Sequence, residues 1–373
     1  MTTIFKNEET GALPESFRTS SEPLELHRRL PHYAPTPLVD TPVIAKRLGV
    51  GRVFVKDESQ RFGMPSFKLL GASWATYRAL IDYIGREPEP WVDIGGLREQ
   101  LAPLRPFALA AATDGNHGRA VARMAKLLGF DAKIFVPKGT TPARIAAIVS
   151  EGATCEIVDG DYDDTVARSA EEASSRCLVI DDTSWPGYED IPRWVAQGYA
   201  TIFYEIADQL ERPPDFAFVP LGVGALGAAA TDYFKRNDGT VLVGVEPKTC
   251  ACVLASIQKG ELVTVPGPHL SMMAGLNCGT PSPVAFPTLQ AGLDWCVAIE
   301  DSFAEEAMRT LAEAGMVSGE TGAAALAGLE AVMASSNPPG LGEESTVLLI
   351  STEGATDPEA YRRIVGHDPG RAG

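Results

Sequence analysis

Long apolar runs are missing from this sequence. Across its 373 residues no stretch of 18 consecutive apolar positions occurs, which excludes an obvious membrane-spanning helix. The start, Met1-Thr2-Thr3-Ile4-Phe5-Lys6-Asn7-Glu8-Glu9, has no basic segment followed by an apolar one, so no secretory leader is expected and a cytoplasmic location is. Positive charge is scarce: 32 Lys and Arg against 49 Asp and Glu leave a formal net charge of −17. That balance repels phosphate backbones and anionic head groups, so neither a nucleic acid nor a membrane is an expected partner. Cysteine is also sparse. Cys155, Cys177, Cys250, Cys252, Cys278 and Cys296 are too few for a disulfide scaffold, and the close pair Cys250-Ala251-Cys252 lacks a second pair to complete a zinc set. They read as small buried residues. The histidines (His27, His32, His117, His269, His367) show no metal spacing, so no metal is expected, and no fixed-period repeat suggests a solenoid. What remains is a globular protein for a small molecule, with 45% apolar residues, enough for one large or two moderate domains.

The order of elements points to an α/β fold. Residues 1–35 are polar and proline-marked, 52–58 read as a strand, and a helix follows Lys68. Residues 86–106, with several prolines and a Gly-Gly pair, read as an irregular connection. Then strands at 107–112, 132–136, 154–158 and 177–180 alternate with helices at 117–128, 141–150 and 163–173. Such alternation implies βαβ units and a parallel sheet covered by helices on both faces. A long helix over 192–210 leads to a strand at 216–220, a glycine-rich loop, a helix at 228–234, a strand at 241–245 and a helix at 251–258. After an irregular stretch, 260–292, come a strand at 297–299, helices at 302–314 and 322–333, and a last buried strand at 346–350.

Four stretches carry chemistry. Lys68 stands where a Gly/Pro-marked loop, Phe62 to Ser66, passes into an apolar run at helical spacing, Phe67, Leu70, Trp74 and Tyr77. An amine crowded by apolar groups pays to stay charged and suits condensation with an aldehyde; a lysine snorkelling at a helix start is the ordinary alternative. Thr113-Asp114-Gly115-Asn116-His117-Gly118 follows a strand and opens a helix, so its free amides suit an anion such as a substrate carboxylate, although the same residues also form plain turns. Gly222-Val223-Gly224-Ala225-Leu226-Gly227 has the strand-loop-helix layout of a phosphate cradle. It also satisfies G-x-G-x-x-G, with Glu246 the only acidic residue placed for a nicotinamide cofactor, which keeps that reading as a minor alternative. Ser351-Thr352-Glu353-Gly354 follows the last strand, where a hydroxyl can meet a ring nitrogen or simply complete a polar turn. His117 either tunes the carboxylate site or packs.

Together these stretches resemble the fold type II pyridoxal-phosphate enzymes, the tryptophan synthase β-like group, and within them the diaminopropionate ammonia-lyases. The resemblance rests on Val55-Lys56-Asp57-Glu58-Ser59 with Arg61-Phe62-Gly63, Ser66-Phe67-Lys68-Leu69-Leu70-Gly71, Asp114-Gly115-Asn116-His117-Gly118-Arg119, Asp182-Thr183-Ser184-Trp185-Pro186-Gly187-Tyr188, Gln197-Gly198-Tyr199, Met273-Ala274-Gly275-Leu276 and Ser351-Thr352-Glu353-Gly354. These come in family order and span roughly residues 27 to 363.

The resemblance implies two domains with mostly parallel sheets covered by helices: a large cofactor-binding domain from 1–72 and 200–373, and a small one from 73–199. It implies pyridoxal 5'-phosphate held on Lys68 as a Schiff base, Asn116 at the ring's phenolic oxygen, residues 222–227 on the phosphate, and Ser351 or Thr352 at the pyridine nitrogen. Asp114 and Asp182 match the family's active-site acids, with Lys68 and Asp114 as candidate bases on opposite faces. Thr113, Asp114, Gly115, His117 and Asp182 would line the amino-acid substrate. The implied reaction is α,β-elimination of 2,3-diaminopropionate to pyruvate and ammonia by a homodimer. Departures are Ser66, Leu69 and Ala72 around the lysine, Ala225 where the family has a serine, and Ala355 where it has an aspartate. They leave open a serine/threonine dehydratase, a β-replacement synthase, or a non-catalytic binding protein on the same scaffold.

Overall fold

Runs of β-branched residues, aromatics and alanine bounded by turn residues become strands. In the computed structural model, which describes residues 2–113, 115–335 and 339–370, these are β1 (Thr3–Lys6), β2 (Leu38–Asp40), β3 (Arg52–Asp57), β4 (Ala108–Ala112), β5 (Asp131–Pro137), β6 (Thr154–Val158), β7 (Cys177–Val179), β8 (Phe216–Pro220), β9 (Val241–Pro247), β10 (Trp295–Ile299) and β11 (Thr346–Ser351). The chain divides into two units. The first comprises Met1–Thr19, Pro35–Phe67 and Ile202–Gly373, the second Ser20–Ala34 and Lys68–Thr201. The sequence reading puts 20–34 and 68–72 in the large domain. In the second unit, the helix Glu22–His27 instead docks through the buried His27, whose ring lies 2.7 Å from Thr201 Oγ1 and 2.9 Å from the Leu70 carbonyl.

In the first unit the sheet runs β1-β10-β9-β8-β11-β3-β2, with antiparallel pairing at the two edges and parallel pairing between. β8 and β11 are buried along their whole length, which explains their continuous apolar sequence. In the second unit the sheet β6-β5-β4-β7 is parallel throughout. The chain passes from β4 to β5 and β6 on one side, then returns to place β7 on the other. That reversal creates a crevice beyond the carboxyl ends of β4 and β7, where open α/β sheets bind ligands.

Several expectations need correction. Residues 86–106 contain the helix Ile94–Gln100, hidden in sequence by Gly95-Gly96 and started by Asp93, whose side chain accepts the Gly96 amide. The long helix over 192–210 is two, Asp190–Gly198 and Ala200–Gln209. The first ends where Gly198 lies so close to the Leu70 carbonyl that a Cβ would approach it to 2.5 Å. Residues 260–292 include the helix Phe286–Gly292, and residues 1–35, polar and proline-marked in sequence, contribute β1 and the helix Glu22–His27. No helix among the described residues is long and apolar enough to cross a membrane, and no His, Cys, Asp or Glu cluster among them could hold a metal.

One buried ionic network fastens β3 and the turn after it to the first unit. Arg61 is fully buried; its Nη1 donates to Glu205 Oε1 at 2.6 Å, its Nη2 to Glu58 Oε1 at 2.7 Å, and its Nε to Glu58 Oε2 at 2.7 Å. Lys56 Nζ donates to the second Glu205 oxygen at 2.8 Å. Burial alone would raise the Glu205 carboxyl, but Arg61 and Lys56 outweigh it and hold it below the usual carboxylate range. Two cations and two anions cancel, so removing one is far costlier than the net worth of the network. Glu205→Ala, which strands Arg61 and Lys56, is expected to lower the stability of the first unit by about 3–5 kcal/mol in urea unfolding. Lys138→Ala, which breaks the exposed Lys138–Asp159 pair, should leave the midpoint in place.

Candidate active site

Lys68 is the first residue of the helix Lys68–Ile84, so its side chain leaves from a helix start. Its Nζ donates to Asp182 Oδ2 at 2.7 Å. The face of Tyr199 lies beyond, 6.0 Å from the amine to the ring centroid. The expectation of an amine crowded by apolar groups is therefore only half met, because its nearest partner is a carboxylate. Asp182 lies just past the end of β7. Its other oxygen accepts from the Tyr162 hydroxyl at 3.0 Å, and His117 Nδ1 stands 4.0 Å from Oδ2. His117 Nε2 is 2.6 Å from the Ile180 carbonyl, which can only accept, so that nitrogen carries a proton. Burial pushes the Asp182 carboxyl up. The charges of Lys68 and His117, with the bonds from Lys68 and Tyr162, outweigh it and hold Asp182 well below the usual carboxylate range.

The loop after β4 is built around Thr113, whose hydroxyl accepts from the Gly115 and Gly118 amides at 2.9 and 3.0 Å. A Cβ on Gly118 would stand 2.4 Å from Thr113 Cγ2 and 2.6 Å from Ile134 Cγ2, so glycine is required there by contact. Asn116 opens the helix Asn116–Leu128. Asp114 lies outside the described residues. The stretch after Asp182 is a tight hairpin: Trp185 and Tyr188 stack with centroids 4.0 Å apart, and the Tyr188 hydroxyl donates to the Val179 carbonyl while accepting the Asp181 amide, both at 2.8 Å. This accounts for the aromatic residues of the Asp182–Tyr188 motif. They pin the end of β7.

The first unit carries the remaining candidates. β8 and β11 are parallel neighbours, so the loops at their carboxyl ends open on the same edge. After β8, Gly224 takes a left-handed φ of 95° and caps the helix Ala225–Asn237. The first backbone bond of that helix runs from the Ala228 amide to the Gly224 carbonyl at 2.8 Å, so the amides of Ala225, Leu226 and Gly227 have no acceptor within the helix. A Cβ on Gly227 would stand 2.3 Å from Leu221 Cδ2, and one on Gly222 3.0 Å from the Gly275 carbonyl. The Val223 carbonyl accepts from the Ser282 amide at 2.8 Å. After β11, Ser351 Oγ lies 2.9 Å from Ser318 Oγ, while the buried Thr352 hydroxyl has no partner among the described residues. Glu246 is fully buried and accepts the Val253 and Leu254 amides at 2.8 Å each. It caps a helix, which removes the acidic residue that a nicotinamide reading needs.

The second unit thus brings together Lys68, His117 and Asp182, and the first holds residues 222–227 with Ser351 and Thr352. Sequence reasoning missed Tyr162, Asp181 and Ser318. Tyr162 follows the end of β6, a third strand end, and the rule that directed attention to strand ends would have found it. Ser318 shows no local signal.

Residues 29–353 match the sequence profile of the family described as "Pyridoxal-phosphate dependent enzyme". The chain is 36% identical to the diaminopropionate ammonia-lyase of Escherichia coli K12, with 97% of this chain and 94% of that protein covered. It is 34% identical to that of Salmonella typhimurium, covering 92% and 91%. The crystal structure of the holo diaminopropionate ammonia lyase from Escherichia coli superposes with a TM-score of 0.90 at 33% identity, over 98% of this chain and 96% of that one. The same enzyme in complex with an aminoacrylate-PLP azomethine reaction intermediate gives 0.88 at 32% identity, over 98% and 97%.

Asp182 gives a stability signature that needs no ligand. Its folded carboxyl is held down, so its contribution is present above the unfolded aspartate value of about 4 and is lost as pH falls toward the folded value. In cofactor-free protein, Asp182→Asn should cost about 2–4 kcal/mol near neutral pH, with the gap to wild type shrinking below pH about 4. A gap that stayed constant in urea titrations across that range would refute the charge assignment.

Proposed function

Because this chain belongs to the pyridoxal-phosphate dependent enzymes, we propose that it is an ammonia-lyase that removes ammonia from 2,3-diaminopropionate, leaving pyruvate and a second ammonia. The observation that carries this reading is the Asp182 carboxylate 2.7 Å from the Lys68 amine, backed by a hydroxyl from Tyr162. A fixed anion there favours a substrate whose β-substituent is an ammonium over one bearing a hydroxyl. The relatives of this chain named diaminopropionate ammonia-lyase support the same choice.

The residues present suit the cofactor. Lys68 offers an amine at a helix start, the amides of residues 225–227 have no acceptor within their helix and so suit a phosphate, and Thr352 offers a buried hydroxyl with no partner among the described residues. When bound, the cofactor withdraws electrons from the substrate's α-carbon and so makes its α-proton acidic.

Lys68 Nζ would carry the cofactor and, once released, take the α-proton on one face. Asp114 would serve the opposite face, as the family resemblance implies. Asp182 would bind the β-ammonium and steady it as the leaving group, while His117 and Tyr162 hold that carboxylate in place. Residues 222–227 would bind the phosphate through backbone amides, so the absence of a serine hydroxyl at Ala225 removes one donor and keeps the helix-start field. Asn116 would meet the phenolic oxygen and Ser351 or Thr352 the pyridine nitrogen. Thr113 and Gly115 would set the loop that receives the substrate carboxylate.

The test is a stoichiometry. Cofactor-loaded protein given diaminopropionate should release pyruvate and ammonia in a ratio of about one to two, faster than with serine or threonine, and Asp182→Asn should lower kcat/KM at least about 100-fold. Equal turnover of serine, or an Asp182→Asn variant at wild-type rate, would refute the assignment.

A further inference from the structure

Asp181, next to Asp182 in the chain, is fully buried and has no role in the chemistry above. Its Oδ1 accepts the Ala112 amide at 2.7 Å. β7 pairs with β4 only as far as Val179, so this side chain continues the ladder where backbone acceptors have run out. Its Oδ2 lies 2.6 Å from Ser169 Oγ, and Ser169 Oγ also lies 2.9 Å from the Val166 carbonyl. A serine hydroxyl has one proton, and a carbonyl has none to give. If Ser169 donates to Val166, the proton in the shorter contact belongs to Asp181. An ionised Asp181 would claim the serine proton and leave two oxygen lone pairs facing each other across the longer contact.

Charge leads to the same result. The groups around Asp181 are the Ala112 amide from β4, the Ser169 hydroxyl from the helix Tyr162–Ala170, the Tyr188 hydroxyl from the hairpin, and the carboxylate of Asp182. Among the described residues no ion pair involves Asp181, whereas Asp182 pairs with Lys68 at 2.7 Å and has the His117 ring 4.0 Å away. Two adjacent buried carboxyls with one set of cations between them will hold one negative charge.

We propose that Asp181 works as a neutral carboxylic acid, a positioning residue whose donated bond to Ser169 locks the Asp182 segment to the helix Tyr162–Ala170 and leaves the pair's single negative charge on Asp182, facing Lys68. Burial pushes the Asp181 carboxyl up to about 7, in agreement with the hydrogen count. Ser169 and Tyr162 lie two helical turns apart on one face, so the same helix grips both carboxyls: Asp181 through Ser169, and Asp182 through Tyr162. The catalytic consequence rests on the reading that Asp182 acts beside the lysine. The protonation state does not.

Asparagine reproduces the neutral acid, since its NH2 can donate to Ser169 and its carbonyl can accept from Ala112. With diaminopropionate at pH about 6, Asp181→Asn should keep kcat/KM within about threefold of wild type, whereas Asp181→Leu should lose at least about tenfold, mostly in kcat. Loss of rate in wild type as pH rises through about 7 should be diminished in Asp181→Asn, which has no proton to lose there. An Asp181→Asn variant as impaired as Asp181→Leu would overturn the proposal. A readout independent of activity is the infrared spectrum of holoenzyme labelled with carboxyl-13C aspartate. Wild type at pH about 6 should show the carbonyl band of a protonated aspartic acid, moved by the label and missing from Asp181→Asn. Absence of that band in wild type, which needs no variant to fold, or its persistence in Asp181→Asn would also overturn the proposal. If the band is present but diaminopropionate is not turned over, the functional reading falls and the protonation assignment stands.

Discussion

The ion pair between Lys68 and Asp182 is the constraint around which the second unit is arranged. A carboxylate this deeply buried is stable only if its charge is answered, and Lys68 answers it directly at 2.7 Å, with Tyr162 and His117 from two further elements. Each partner comes from a different strand end or helix start: His117 after β4, Tyr162 after β6, Asp182 after β7, Lys68 at the head of its helix. The sheet's reversal at β4 and β7 is what makes that meeting possible. A parallel sheet without a reversal would have no crevice between those two ends.

Around this pair, the protein separates charged from neutral groups by surroundings alone. Asp182 has the Lys68 amine, the His117 ring and the Tyr162 hydroxyl; Asp181, one residue away, has a backbone amide, a serine and, among the described residues, no cation. The first unit uses the same economy differently. Arg61, Lys56, Glu58 and Glu205 cancel one another in full burial, and so fix β3 and the turn after it, where Phe62 adopts a left-handed φ of 56°. The glycine loop after β8 offers only backbone amides and a helix start, a field suited to an anion whatever side chains surround it.

Much of this was legible in the sequence, and the limits have physical causes. The alternation from β4 to β7 shows because buried parallel strands carry continuous apolar runs and their helices carry a stripe. The Lys68 junction and the loops at 113–118 and 222–227 show because glycine and helix starts leave local marks. Helix ends set by distant contacts do not: nothing near Gly198 announces the Leu70 carbonyl that lies against it, and Gly95-Gly96 conceals a helix that Asp93 starts. The partners of Asp182 were equally hidden, since Lys68 is 114 positions away and Tyr162 is 20. Resemblance to a family singled out Asp182; local pattern could not. Asp181 was overlooked because its role depends on counting protons between side chains that only the fold brings together.

Every functional statement above depends on the Lys68 amine being where the cofactor is attached. The most direct measurement is borohydride reduction of the pyridoxal-phosphate-loaded protein followed by peptide mass mapping. The account predicts a single reduced adduct on Lys68. An adduct on another lysine, or none on protein shown to have taken up the cofactor, would contradict it.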